Sequence, residues 1–192
     1  MVLRDLISVA FAAVLLGAAL QPALADGTVT GPSIIEDFTM QPETRWRFFT
    51  DQVMGGASTG GVAFEVENGT PFARMTGHVS TANRGGFIQM RLDLASPPPE
   101  GTVGVRLIVR GNTQRYFVHL RTGSTLLPWQ YYQAGFDVTG IWSEVRLPLD
   151  AFTASGALLR GVPKAGSLTS LAVVAYGRDH DSRIDVREVG FY

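Results

Sequence analysis

Cysteine is absent from all 192 residues. Its absence excludes disulfide staples, thiol nucleophiles and thiolate metal sites together, so stability has to come from a hydrophobic core. Charge of one sign is also missing: sixteen basic residues stand against seventeen acidic ones, for a formal net charge of -1. Without a basic excess there is no electrostatic case for nucleic acid or an acidic lipid surface. Lysine is reduced to Lys164 alone. The other basic side chains are arginines, whose rigid fork suits carboxylates and phosphates, although a GC-rich genome produces the same bias. Helical periodicity is lacking too. No segment after the amino-terminal stretch keeps a 3.6-residue period over three turns, and only Leu149 to Leu159 has room for one short turn. Neither an internal repeat nor a domain boundary interrupts the chain, and its length suits one domain with a sizeable core.

What is present begins with one long apolar run, Leu6 to Leu20, preceded by Arg4 and closed by Gln21-Pro22. Ala23-Leu24-Ala25 has the small-x-small form of a leader cleavage site, so residues 1–25 read as a signal peptide and Asp26 as the mature start. The run is short for a bilayer span, and nothing later replaces it, so no transmembrane segment is expected after cleavage. The expected location is exported: a bacterial periplasm or the medium. Residues 26–33 read as a flexible arm and residues 34–192 as one domain.

From Ile34 onward the pattern is short strands and turns. Ile34 to Phe38 reads as a first strand, and Trp46 to Phe49 as a second, with Trp46 and Phe48 on one face. Val62 to Val66 and Phe72 to Val79 flank Asn68-Gly69, a tight-hairpin signal. Ile88, Met90, Leu92 and Leu94 alternate with Phe87, Gln89, Arg91 and Asp93 until Pro97-Pro98-Pro99 ends the strand. Val103, Val105, Leu107 and Val109 alternate with Arg106, Ile108 and Arg110. Tyr116, Val118 and Leu120 alternate with Phe117, His119 and Arg121, and Val145 and Leu147 with Trp142, Glu144 and Arg146. Leu171 to Tyr176 is apolar on both faces, as a covered central strand would be. About ten such strands imply a two-layer antiparallel sandwich.

The stretch from Trp46 to Gly61 carries the densest information. A strand breaks into a loop bracketed by Gly55-Gly56 and Gly60-Gly61, with Asp51 and Ser58 able to satisfy loop amides. Glycine pairs permit close backbone approach, so the loop packs either on a neighbouring loop or on a ligand. Asp51-Gln52-Val53-Met54-Gly55-Gly56-Ala57-Ser58, downstream of Trp46, resembles the signature of the complex I intermediate-associated protein 30 family. Further blocks agree in order: Gly77-His78-Val79-Ser80, Asn83-Arg84-Gly85-Gly86-Phe87 with Arg91, and Val109-Arg110-Gly111-Asn112 leading to Tyr116. The last is Tyr132 to Phe136 with Trp142, Leu147-Pro148-Leu149 and Phe152. The resemblance implies an all-β, antiparallel jelly-roll sandwich of the galactose-binding-domain type. It also implies no established catalytic centre, and an assembly role of the kind the family's best-known members perform for respiratory complex I.

The residues do not argue for an enzyme. His78, His119 and His180 lack ligand spacing, Ser58 is not in a nucleophile elbow, and no pair of carboxylates has a fixed separation. Arg178-Asp179-His180-Asp181 reads as a solvated turn rather than a calcium loop. No cofactor and no metal are expected. The expected activity is non-catalytic: holding a protein partner, such as a subunit of a membrane or respiratory complex. The alternative is binding of a carbohydrate or small ligand, with Trp129, Tyr131, Tyr132 and Trp142 as candidate stacking rings. The candidate binding residues are Trp46, Asp51, Met54, Gly55, Gly56, Ser58, Asn83, Gly85, Gly86, Arg91, Arg106, His119, Arg121, Tyr132 and Trp142. If the strands bearing Gln89 and Arg91, Arg106 and Arg110, His119 and Arg121, and Glu144 and Arg146 share a sheet, their outer faces form one basic platform flanked by Phe117 and Trp142. Otherwise they are solvated faces of the usual alternating kind.

Overall fold

In the computed structural model, residues 32–192 are described. The signal peptide expected at 1–25, and residues 26–31 of the expected arm, lie outside them. Twelve strands follow in order: β1 (Ser33–Glu36), β2 (Trp46–Thr50), β3 (Thr59–Glu67), β4 (Thr70–Val79), β5 (Phe87–Asp93), β6 (Gly104–Gly111), β7 (Arg115–Thr122), β8 (Tyr132–Asp137), β9 (Ser143–Pro148), β10 (Thr153–Ala154), β11 (Leu168–Tyr176) and β12 (His180–Phe191). One helical turn, α1 (Pro42–Arg45), precedes β2, and short 3-10 turns include Asp51–Met54 and Leu149–Ala151.

The strands form two antiparallel sheets. One runs β3-β4-β12-β6-β9, with β1 added against the end of β12. The other runs β10-β8-β7-β11-β5-β2. Every side chain that the alternation places inward in β5 and β7 faces the other sheet. Ile88, Met90, Leu92, Tyr116, Val118 and Leu120 are all buried in one continuous core with Met75, Val105, Leu107, Ile184 and Val186. Each large apolar side chain so enclosed contributes about 1.5–3 kcal/mol, which is how a cysteine-free domain holds together.

Turn chemistry accounts for the corners. Asn68 and Gly69 both have positive φ, 50° and 78°, the geometry a two-residue hairpin needs to match strand twist. β1 stops earlier than the sequence suggests. Phe38 is not a strand residue: it adopts φ 61° and drops into the core beside Trp46, with its N–H donating to Glu36 Oε1 at 2.7 Å. β11 is central, as its apolar pattern implies, lying between β7 and β5. Among the described residues no third layer covers its outer face. Ala172 and Val174 are buried there by side chains standing on the adjacent strands.

The sheet assignment corrects one expectation. β5 and β7, which carry Gln89, Arg91, His119 and Arg121, lie in one sheet, while β6 and β9, which carry Arg106, Arg110, Glu144 and Arg146, lie in the other. The single basic platform does not exist. Its residues are divided between opposite outer surfaces of the sandwich, with Phe117 on one and Trp142 on the other.

Candidate functional site

Three polar constructions compete for the functional role. The first is the glycine loop. Asp51 is fully buried, and its carboxylate accepts hydrogen bonds from Ser58 N at 2.9 Å, Ser58 Oγ at 2.6 Å, Gly86 N, and Phe87 N at 3.3 Å. Burial pushes this carboxyl up, but the donors from Ser58, Gly86 and Phe87 outweigh it and hold it below the usual carboxylate range. The glycines follow from this carboxylate. A Cβ on Gly56 would sit 2.3 Å from Asp51 Cγ, and one on Gly85 would sit 2.3 Å from Asp51 Oδ2. The signature loop and the Asn83-Arg84-Gly85-Gly86 loop are therefore knotted together through one buried side chain. Ser58 Oγ also accepts from Ser80 N at 2.9 Å, fastening the end of β4 to the same point. Asp51, Gly56, Ser58, Gly85 and Gly86 are turned inward on this knot. Val53, Met54, Gly55 and Asn83 face solvent, with Gly55 at φ 87° and Asn83 at φ 57°.

The second is the outer face of the β3-β4-β12-β6-β9 sheet. Arg74 grips Asp185 with two bonds, at 2.7 and 2.8 Å, and reaches Glu65 at 2.6 Å. Arg110 bonds the same Asp185 at 2.8 Å and Glu67 at 2.8 and 3.0 Å. Arg106 bridges Glu144 and Glu188, each at 2.7 Å, and Arg146 takes the other oxygen of Glu144. Trp142 is covered on its faces by Arg110 and Arg187, 4.5 and 5.0 Å from the ring. Burial pushes the Asp185 carboxyl up, while the two arginines pull it below its ordinary value, with the net shift downward. Arg74, Arg106 and Arg110 are thus fully paired within the protein, while Arg187 lies on the Trp142 ring.

The third is the outer face of the β10-β8-β7-β11-β5-β2 sheet. Register lines up Gln89, Val174, Phe117 and Gly135 in one row, and Arg91, Ala172, His119 and Gln133 in the next. Small side chains on central β11 thus lie between large ones on β5 and β7, which makes a trough. His119 fills part of it: only 8% exposed, it stacks on Tyr131 with ring centroids 4.0 Å apart and planes 8° from parallel. Its Nε2 donates to Gln133 Oε1 at 2.8 Å. Burial lowers its pKa to about 4, so the ring is neutral near pH 7. Tyr176 meets both Phe117 and His119 edge-on. Burial and the neighbouring Tyr176 phenol push the Tyr131 hydroxyl up.

Beside this ring cluster lies a pocket of about 270 Å³ lined by Arg91, Asp93, Arg121, Thr125, Thr169 and Ser170. Arg121 spends its fork on carbonyls, donating to Thr125 O at 2.9 Å and Leu127 O at 3.1 Å. Those bonds hold a loop whose Leu126, Leu127 and Trp129 are exposed, Trp129 to 65%. Ser155 Oγ joins that loop to the chain after β10, accepting from Tyr131 N and donating to Trp129 O.

The candidate residues are thus scattered. Trp46 and Tyr132 are core residues, 4% and 1% exposed, and present no surface to a ligand; the Trp46 indole N–H instead donates to buried Glu36 at 2.7 Å. Arg106 and Trp142 belong to the outer face of the β3-β4-β12-β6-β9 sheet. Arg91, His119 and Arg121 are brought together, and they gain Gln133, Ser170, Thr125 and Tyr176, which the sequence did not single out. The available signal was the smallness of Ala172 beside apolar Val174 in a strand between two bulky ones. Trp129 and Trp142, considered together as stacking rings, are on opposite surfaces. Asp179, from the turn read as a weak calcium candidate, accepts from Thr81 N and Oγ1 at 2.7 Å, and Asp181 pairs with His78 at 2.9 Å. Among the described residues no cluster of three or more His, Asp or Glu is placed to hold a metal, and no helix is long and apolar enough to cross a membrane.

Two antiparallel sheets joined in this order define a jelly-roll sandwich of the galactose-binding type. The family model described as Complex I intermediate-associated protein 30 matches residues 37–175, and the chain belongs to that family. No curated protein matches it. Solved structures with the same fold include the family 11 carbohydrate-binding module of the cellulosomal cellulase Lic26A-Cel5E of Clostridium thermocellum. It is 9% identical with TM-score 0.68, over 84% of this chain and 94% of that one. The family 11 module from Clostridium thermocellum in complex with a beta-1,3-1,4-mixed-linked tetrasaccharide is 10% identical with TM-score 0.67, over 84% and 95%. The family 30 module of cellulosomal cellulase Cel9D-Cel44B of Clostridium thermocellum is 13% identical with TM-score 0.51, over 71% and 90%. At such identities the likeness is one of fold.

Proposed function

We propose that the chain is an exported, non-catalytic binding module that holds a protein partner, a subunit of a membrane complex, on the outer face of the β10-β8-β7-β11-β5-β2 sheet. The observation that carries this reading is the pairing, on one face, of Arg121, which has no carboxylate within salt-bridge distance among the described residues, and Arg91, which shares Asp93 with Arg47, with a rim of exposed Leu126, Leu127 and Trp129. Aliphatic side chains beside guanidinium groups that lack a full carboxylate partner suit a protein surface, where an apolar contact supplies burial and charges fix register. The family description, with its complex I intermediates, supports an assembly partner. The leader pattern at residues 1–25 supports a partner reached from the far side of the cytoplasmic membrane.

A second reading has its own observation. Trp129 and Tyr131 lie one residue apart around the Ser155 contact, on a fold shared with carbohydrate-binding modules, and a sugar ring could stack on the exposed indole.

Site-specific photo-crosslinking in cells that make the full chain separates these readings. A crosslinker at Leu126 is expected to capture a discrete membrane-complex subunit, and one at Glu144 on the opposite face is not. Equal capture from both positions, or none from Leu126 together with saturable glycan binding lost in Trp129→Ala, would overturn the protein-partner reading. Intact-mass analysis of the exported form tests the leader: a chain beginning at Asp26 is expected, and one beginning at Met1 would remove it.

A further inference from the structure

We propose that the pocket between Arg91 and Arg121 is a carboxylate-binding site that seats an aspartate or glutamate side chain of the partner protein. This rests on the reading of that sheet face as the protein-holding surface and names the chemistry of the contact.

The argument is one of unmatched charge in a shaped space. Arg47 and Arg91 share a single carboxylate, Asp93, which lines the pocket together with Arg121. Arg47 pairs with it directly, and Arg91 Nε stands 3.4 Å away, beyond good hydrogen-bond geometry. Among the described residues no carboxylate lies within salt-bridge distance of Arg121, whose bonds go to Thr125 and Leu127 carbonyls. Arg91 is held in place by stacking on Phe49, 4.9 Å from the ring, and its Nε is buried without a hydrogen-bond partner. Burial makes that guanidinium a weaker base than usual; Asp93 opposes the shift, and the charges of Arg47 and Arg121 reinforce it. A second negative group in the pocket would satisfy the fork and relieve the like-charge crowding together.

Three arginines of the opposite face are compensated more fully, although Arg183 and Arg187 there have no carboxylate within salt-bridge distance among the described residues. Arg74, Arg106 and Arg110 each bond two carboxylates. The pocket also has neutral hydroxyls: Ser170, 5% exposed, and Thr169 line it with the two arginines, beside Thr125, whose hydroxyl donates to Thr122 O at 2.6 Å. Donors of both kinds around a 270 Å³ space fit an oxyanion. A protein carboxylate is favoured over an acidic sugar by what surrounds the pocket. The loop that Arg121 anchors carries exposed Leu126 and Leu127, aliphatic side chains that a protein surface covers and a sugar does not, while its Trp129 makes an acidic sugar the competing occupant.

The test is a titration of the full mature chain followed by the Nε–Hε NMR signals of its arginines, with N-acetyl-glutamate amide as probe. Saturable movement of the Arg91 and Arg121 signals is expected, with no movement at Arg106 and no response to N-acetyl-glutamine amide. Affinity should fall about tenfold or more in half-molar salt and on Arg121→Gln. Arg121→Lys keeps the charge but loses the fork, and is expected to fall between the two. No saturable shift in wild-type protein, or an equal shift at Arg106, would overturn the site without relying on any variant folding. Glucuronate or sulfate binding about tenfold tighter than the glutamate probe would overturn the protein carboxylate as occupant. If the titration fails while crosslinking from Leu126 persists, the partner reading stands and this site falls. If the titration succeeds while crosslinking fails, an anion site remains and its proposed protein occupant is overturned.

Discussion

On the outer face of the β3-β4-β12-β6-β9 sheet, Arg74 and Arg110 share buried Asp185 and each holds a second carboxylate besides. On the outer face of the other sheet, Arg91 and Arg121 stand over small β11 side chains, and Asp93 is the only carboxylate among the described residues that line their pocket. Both faces use arginine at alternate strand positions, and both set aromatic rings beside it. They differ in whether the charge is spent. Where an arginine holds two carboxylates, as Arg74, Arg106 and Arg110 do, it gains order but has little left to offer a partner. A face whose arginines lack full carboxylate partners and stand beside exposed leucines has interaction capacity in reserve, and it keeps some repulsive strain until that capacity is used.

This contrast can be broken by experiments of decreasing size. Asp51 belongs to neither face and sets the scale. Asp51→Ala leaves the Ser58 hydroxyl and the Gly86 and Phe87 amides without their acceptor, and should cost about 4 kcal/mol, read as a lower urea midpoint. Native stability with lost partner binding would instead make the glycine loop a site. Next, Asp185→Asn should cost about 3 kcal/mol because two half-buried arginines lose their shared anion. Asp93→Asn, at an exposed carboxylate, should cost less than about 1 kcal/mol. Similar losses at the two positions would erase the distinction between the faces.

The third experiment uses pH. His119 has a folded-state pKa of about 4 against an ordinary 6.5, so between those values the unfolded chain binds the proton that the folded one refuses. Stability is therefore complete above pH 6.5 and declines as pH falls toward 4, by up to about 3 kcal/mol in total. Melting curves across that window should show the decline, and His119→Gln should flatten it. An imidazole that titrates near 6.5 by NMR would show that the trough is open to water. The smallest effect on stability is at Arg121. Arg121→Gln should change unfolding free energy by no more than about 1 kcal/mol while removing the response to the glutamate probe.

Much of the in-or-out assignment was legible in the residues. Ile88-Gln89-Met90-Arg91 can be sorted into faces by reading every second position, and Asn68-Gly69 announces its hairpin through the positive φ that both residues tolerate. The signature block was legible as a motif but not as a mechanism. Asp51 and Gly85 are 34 positions apart, and only the folded chain shows that the glycine is there to make room for the carboxylate. Trp46 and Tyr132 read as ligand rings because aromatic residues serve cores and sites equally well, and burial is what tells the two apart.

The sequence by itself determined that this is a β-sandwich stabilised without disulfides, which side chains point inward along each strand, and where the hairpins turn. These are local matters, set by a two-residue period and by backbone preferences at single positions. The tertiary structure alone decided which strands are neighbours. It placed Arg106 and Arg121 on opposite surfaces, paired Arg74 with an aspartate 111 residues away, and left Arg91 beside Arg121 with one carboxylate between them. Charge compensation acts through space over a few ångströms, so whether an arginine is spent or free depends on strand order, and no spacing along the chain encodes it.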